Sequence, residues 1–239
     1  MTKRELKEQR RLENQEKLKN QKRNEMIRKI AIWAGAAIIL GASVWVLIVL
    51  SNSTPNKENK ITTPPISKDD ITIGTESAHV TLVEYSDFQC PACAAYHPIV
   101  SQLISEFEGK LLFAYRFFPL SQTHKNAMIS AQAAMAAHKQ GKFREMHDML
   151  FVNQNSWANE NNAEEIFIVY AREIGLDIEK FKTDLNSDGT KKFIQDQYSQ
   201  GVSIGVNSTP TFFVNGQKIL TPGTYADFKK LIENEINKK

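Results

Sequence analysis

The chain has 239 residues, 41% of them hydrophobic and 24% charged, enough apolar mass for a sizeable core and incompatible with a disordered protein. Its net charge of +3 is unevenly placed: residues 1–29 hold eleven Lys/Arg against five Asp/Glu, leaving 19 and 22 in the remainder. That basic end has no aromatic residue, so the footprint of a nucleic-acid surface is missing.

After the basic stretch, Ile30 to Leu50 is an uncharged apolar run of 21 residues. About 20 helical residues at roughly 1.5 Å each cover the ~30 Å core of a bilayer, so the run predicts a transmembrane helix. A cleaved signal peptide is the rival reading. Its apolar region would be shorter, about 7 to 15 residues, and the following Ser-Asn-Ser-Thr-Pro-Asn offers no clear small-residue cleavage pattern. A retained anchor is therefore the expectation. Basic flanks resist translocation, which places residues 1–29 in the cytoplasm and everything after Leu50 outside it. Residues 51–70, polar and containing Pro55, Pro64 and Pro65, read as a semi-extended linker.

From residue 71 onward the pattern is that of an α/β domain. His79 to Tyr85 is a β-rich apolar run, the expected first strand. A helix follows from Cys90, with Tyr96, Ile99, Val100, Leu103, Ile104 and Phe107 at helical spacing and Pro91 in its first turn, where a missing N–H costs nothing. Residues 110–120 then read as a second strand, giving a parallel strand, helix, strand unit. Residues 121–188 read as an all-helical insertion, alanine-rich over Ala127 to Ala137, with Asn162 and Glu165 spaced as a capping box. Four methionines there, Met128, Met135, Met146 and Met149, are expected as core filler. A helix over Thr190 to Gln200 precedes Thr211–Val214 and Gln217–Leu220, joined by Asn215-Gly216, a strong hairpin signal because a type I′ turn needs positive φ at both positions. An amphipathic helix carrying Tyr225, Phe228, Leu231, Ile232 and Ile236 ends the chain.

The two cysteines, Cys90 and Cys93, stand two residues apart in Phe-Gln-Cys-Pro-Ala-Cys. At a helix N-terminus the unpaired N–H groups and the dipole favour negative charge, so the first sulfur is expected below the unperturbed pKa of about 8.5 and ionised at neutral pH. Cys93, one turn in, is placed to attack a mixed disulfide formed at Cys90. Haem attachment requires histidine immediately after the second cysteine, where this chain has Ala94. A metal site could draw on Cys90, Cys93 and His97, but no second cysteine pair or close histidine pair completes a tetrahedral set, so no metal is expected and His97 reads as a helix-surface residue. A purely structural disulfide across two residues would restrain little chain entropy. Thr209-Pro210, ahead of a strand where proline has no N–H to give, reads as a special turn.

The combination of Val83-Glu-Tyr-Ser-Asp-Phe-Gln-Cys-Pro-Ala-Cys, a helical insertion, and Asn207-Ser-Thr-Pro-Thr-Phe-Phe-Val-Asn-Gly before a last helix resembles the DsbA-type branch of the thioredoxin superfamily. The membrane-anchored Gram-positive members are especially similar. The resemblance covers residues 71–238. It implies that Cys90 is the attacking cysteine, Cys93 the resolving one, Thr209-Pro210 a cis-proline loop facing the disulfide, and Glu84 a buried carboxylate assisting proton transfer. It also implies reoxidation by a quinone-linked membrane protein of the DsbB type, with no cofactor beyond the Cys90–Cys93 disulfide. The dipeptide Pro91-Ala92 departs from the family's strongest oxidants, which carry histidine at the second of these positions.

Three functions remain to be told apart: a membrane-anchored oxidant of exported proteins, a reductase or isomerase of the same fold, and a non-catalytic tether.

Overall fold

The computed structural model describes residues 17, 19, 23–30, 32–35, 38–46 and 61–238. Two compact units divide the chain, Met1–Glu58 and Asn59–Lys239. In the first, α1 (Arg23–Val46) is the helix among the described residues that is long and apolar enough to cross a membrane. It begins inside the basic leader, ahead of Ile30. Residues 1–16, the end of the expected span at 47–50, and residues 51–60 of the expected linker lie outside the described residues.

The second unit is built on a five-stranded sheet ordered β1-β3-β2-β4-β5, from β1 (Ile71–Gly74), β2 (Val80–Ser86), β3 (Leu111–Phe117), β4 (Thr211–Val214) and β5 (Gln217–Lys218). Strands β2 and β3 run parallel from Val80↔Leu111 to Ser86↔Phe117, joined by α2 (Pro91–Glu106). Short β-branched and aromatic runs buried on both faces form these strands, as expected for a covered parallel pair. The other pairings are antiparallel. The expected hairpin is present, with Asn215 at φ 49° and Gly216 at φ 78°, although β5 stops at Lys218. Strand β1 has no counterpart in the sequence reading. Four residues are too few to display a period, and pairing with β3 decides their conformation.

The insertion is a helical layer of α3 (Ala127–His138), α4 (Phe143–Val152), α5 (Gln154–Trp157), α6 (Ala163–Glu173) and α7 (Ile178–Asn186). Helix α3 is alanine on most sides, with Ala131, Ala133, Ala134, Ala136 and Ala137 all buried, because its neighbours surround it. Met146 is buried, and Met128, Met135 and Met149 pack against the same core. The capping box expected at Asn162 does not form: no side-chain bond caps α6, and Glu165 N–H donates to the Asn162 main-chain carbonyl instead. At ψ 33° Asn162 lacks the extended backbone of a capping residue.

Helices α8 (Asp188–Ser203) and α9 (Tyr225–Asn237) complete the fold. A side chain at Gly201 of α8 would place its Cβ 2.9 Å from the Phe118 ring and 3.0 Å from the Tyr85 ring, so glycine is what lets α8 lie on this face of the sheet. Residues 61–70, expected as linker, belong to the domain. Lys218 N–H donates to Ile61 O, Thr63 N–H donates to Gly216 O, and Thr62 bridges Gln217, which covers the open edge of β5. The buried Arg116 holds this segment from inside. Its Nε and Nη2 donate to the Asp70 carboxylate at 2.7 and 2.9 Å, Nη1 to Thr63 Oγ1 at 2.6 Å, and Nη2 also reaches the Pro64 and Pro65 carbonyls.

Candidate active site

Cys90 is the N-cap of α2, with extended backbone (φ −72°, ψ 121°), and Pro91 begins the helix. The turn preceding it is set by Asp87, whose carbonyl accepts from Cys90 N–H and whose Oδ1 accepts from Gln89 N–H at 2.8 Å. Both cysteines are free thiols. Cys90 is 7% exposed and Cys93 wholly buried, one turn deeper on the same helix. The Thr209-Pro210 peptide bond is cis, and the Thr209 carbonyl lies 3.4 Å from Cys90 Sγ, which donates to it. The adjoining Thr209 hydroxyl is buried with no partner among the described residues, which leaves it available to a thiolate.

The electrostatics separate the two sulfurs. The Cys93 thiol acts as donor to Cys90, the Thr209 side chain and the N–H groups of Cys93 and Ala92 add to it, and together they outweigh partial burial and bring Cys90 down to about 5. Burial, the bond to Cys90 and the Glu84 charge drive Cys93 well above the ordinary thiol range. One sulfur is thus made an anion at neutral pH while its neighbour keeps its proton.

Glu84 lies on the β2 face that it shares with Leu82, directed into the core that contains both cysteines. Its register neighbours are Tyr115 on β3 and Phe212 on β4. Burial raises its carboxyl to about 7, the Cys90 charge adds to the rise, and Ser86 opposes it. A carboxyl poised there can hold or release a proton beside Cys93 at physiological pH. Of the residues expected from sequence, Cys90, Cys93, Glu84 and Thr209 therefore come together from three separate segments, with Pro210 joined to Thr209.

Other residues of the site carried no sequence signal. The Asp87 carboxylate, fully buried, also accepts from Leu120 N–H at 3.0 Å and pairs with His124 Nδ1 at 2.7 Å. Gln154 Nε2 donates to the carbonyls of Phe88 and Cys90, and Gln89 Oε1 accepts from Asn126 N–H. These buried amides bolt the cysteine loop to the insertion, and each pairs with a partner more than 30 residues away. His97 also departs from expectation. Its side chain is 11% exposed, and its Nε2 lies 2.8 Å from Asp148 Oδ1, because α4 packs over the face of α2 where a free helix surface was expected.

Comparison with known proteins agrees with the fold. Residues 67–234 match the family model described as thioredoxin. The oxidised BdbD of Bacillus subtilis superposes with a TM-score of 0.67 at 22% identity, over 75% of this chain and 99% of that one. The alpha-DsbA1 of Wolbachia pipientis gives a TM-score of 0.64 at 20% identity, over 72% and 92%. By sequence, the chain is 32% identical over 184 residues to Na(+)/H(+) antiporter NhaA 3 of Salinispora tropica, over 77% of this chain and 25% of the antiporter. A second antiporter, NhaA 1 of Salinispora arenicola, is 36% identical over 146 residues, covering 61% and 21%. The chain spans about a quarter of the length of these curated relatives. It belongs to the thioredoxin family, and its fold is the DsbA-type form with a helical insertion.

Proposed function

We propose that the chain is a membrane-anchored thiol-disulfide oxidoreductase whose Cys90–Cys93 disulfide, on the outer side of the membrane, is donated to exported proteins. The observation that carries this reading is the opposed tuning of the two sulfurs, Cys90 lowered to about 5 and Cys93 raised, at a helix start facing a cis-proline loop. A stabilised Cys90 thiolate favours the reduced pair, which makes the disulfide easier to give away.

In the oxidised enzyme a substrate thiolate attacks Cys90 Sγ. The Cys90–Cys93 bond breaks, its electron pair goes to Cys93, and Cys93 takes the proton that neutral Glu84 can supply. The substrate's second thiolate then attacks the substrate sulfur of the mixed disulfide, and Cys90 leaves as a stabilised thiolate. Two electrons pass from the substrate to the enzyme, and the substrate gains one disulfide. Reoxidation passes those electrons on to a quinone-linked membrane partner of the DsbB type, and the Cys90–Cys93 disulfide re-forms. The reaction requires no cofactor other than the disulfide itself. The loop after β5, held to α2 by Tyr96 O–H donating to Pro222 O at 2.8 Å, presents Leu220 at 95% exposure, an apolar contact suited to unfolded chains.

Anchoring rests on α1 and on the apolar run from Ile30 to Leu50, and orientation on the eleven basic residues ahead of it. A redox titration against glutathione tests direction. A potential well above that of cytosolic reductants is expected, and one near thioredoxin's, about −270 mV, would make the chain a reductase. Replacing both cysteines by serine abolishes substrate oxidation on this reading, whereas a tether would work unchanged.

A further inference from the structure

Away from the thiols, three side chains of metal-ligand type converge where α2 meets α4. His97 Nε2 lies 2.8 Å and His147 Nδ1 3.1 Å from the same Asp148 Oδ1, and one ligand atom from each residue falls within 4.8 Å of the others. His147 is held in orientation by rings that meet it edge-on: Phe88 at 5.6 Å, Tyr115 at 5.4 Å and Phe151 at 4.9 Å between centroids. It is 5% exposed, while the Asp148 side chain is 44% exposed, so the donors sit in a protected corner with one open side.

We propose that His97, His147 and Asp148 form a binding site for a divalent ion of the zinc class. Two imidazoles and one carboxylate suit zinc with its fourth position left to water, whereas calcium and magnesium prefer sets made of oxygen. A tetrahedral ion with bonds of about 2.0–2.1 Å spaces its ligand atoms about 3.3 Å apart. The nitrogen-to-oxygen distances of 2.8 and 3.1 Å are shorter than that spacing, so the half-exposed Asp148 carboxylate swings aside as the ion enters between it and the two imidazoles, whose ligand atoms lie within 4.8 Å of each other. The aromatic packing fixes His147 in advance, so binding costs little further ordering there. A bound ion would clamp the insertion to α2, the helix that begins at the cysteines. Neither cysteine is among the ligands, which separates this site from the thiol chemistry.

The test uses the full chain with Cys90→Ser and Cys93→Ser, so that no thiol competes, titrated with zinc chloride by calorimetry, with zinc counted after desalting. One zinc per chain and a rise in melting temperature are expected. Adding His97→Ala or Asp148→Asn, both at positions not fully buried, should weaken zinc at least tenfold and remove the thermal shift, with the circular dichroism spectrum unchanged. No stoichiometric zinc in the serine background, or zinc retained undiminished by both substitutions, overturns the proposal.

Discussion

Replacing Glu84 by glutamine isolates the cost of a buried carboxylate. Glu84 is 3% exposed, and its carboxyl is raised from an ordinary 4.5 to about 7. Below 4.5 the group is neutral in both folded and unfolded chains and contributes no pH dependence. As pH rises through 4.5 toward 7, the unfolded chain ionises while the folded one keeps its proton, so wild-type stability falls. Above about 7 the loss is complete. The interval between 4.5 and about 7 corresponds to about 3 kcal/mol at 1.36 kcal/mol per pH unit. Glutamine has nearly the same shape and never ionises, so the stability of Glu84→Gln relative to wild type should climb by about 3 kcal/mol from pH 4.5 to pH 8. Urea unfolding of both proteins across that range, in the reduced and the oxidised state, gives the difference curve directly, and taking the difference cancels the titrating groups that do not interact with Glu84; the oxidised state removes the coupled Cys90 as well. In the oxidised state the midpoint should move down, because the Cys90 anion that adds to the rise is gone. A difference that stays flat from pH 4.5 to 8 refutes the reasoning, since it would mean that Glu84 ionises in the fold as freely as in water.

Three further substitutions probe other parts of the structure. In reduced protein the rate of Cys90 alkylation against pH should titrate near 5, and Thr209→Val should move that midpoint upward by removing the hydroxyl donor; a wild-type midpoint near 8.5 contradicts the site as described. Asp70→Ala leaves the Arg116 guanidinium buried without its carboxylate and should cost about 3–5 kcal/mol, read as a lowered urea midpoint, with residues 61–70 becoming sensitive to protease. Gly201→Ala forces a methyl group against the fixed rings of Phe118 and Tyr85 and should cost about 1–3 kcal/mol; a melting temperature equal to wild type would show that α8 can lift from the sheet without penalty.

Much of the scaffold was legible because it is local. The β2 run, Pro91 at the start of α2, the helical spacing from Tyr96 to Phe107 and the Asn215-Gly216 turn each draw their signal from adjacent residues, where backbone preference and period suffice. Cys90 at a helix start was readable for the same reason. The clasp between Asp70 and Arg116, the side-chain amide contacts of Gln89 and Gln154, and the contact of His97 with Asp148 were not, since each joins residues 37 or more apart through packing that no period encodes. The helix also runs through Pro98, whose missing N–H by local preference argues for a break; tertiary contacts on α2 overrule it.

By itself, then, the linear order of residues determined most of the strands and helices, β1 excepted, that a cysteine pair opens a helix, and that a bilayer-length apolar run precedes the domain. Only the folded chain decided how the thiols are tuned, because ionisation depends on burial and on partners such as Thr209 that lie 119 residues away. The same holds for the convergence of His97 with His147 and Asp148: ligand geometry is a property of helices packed together, and it has no representation along a single helix.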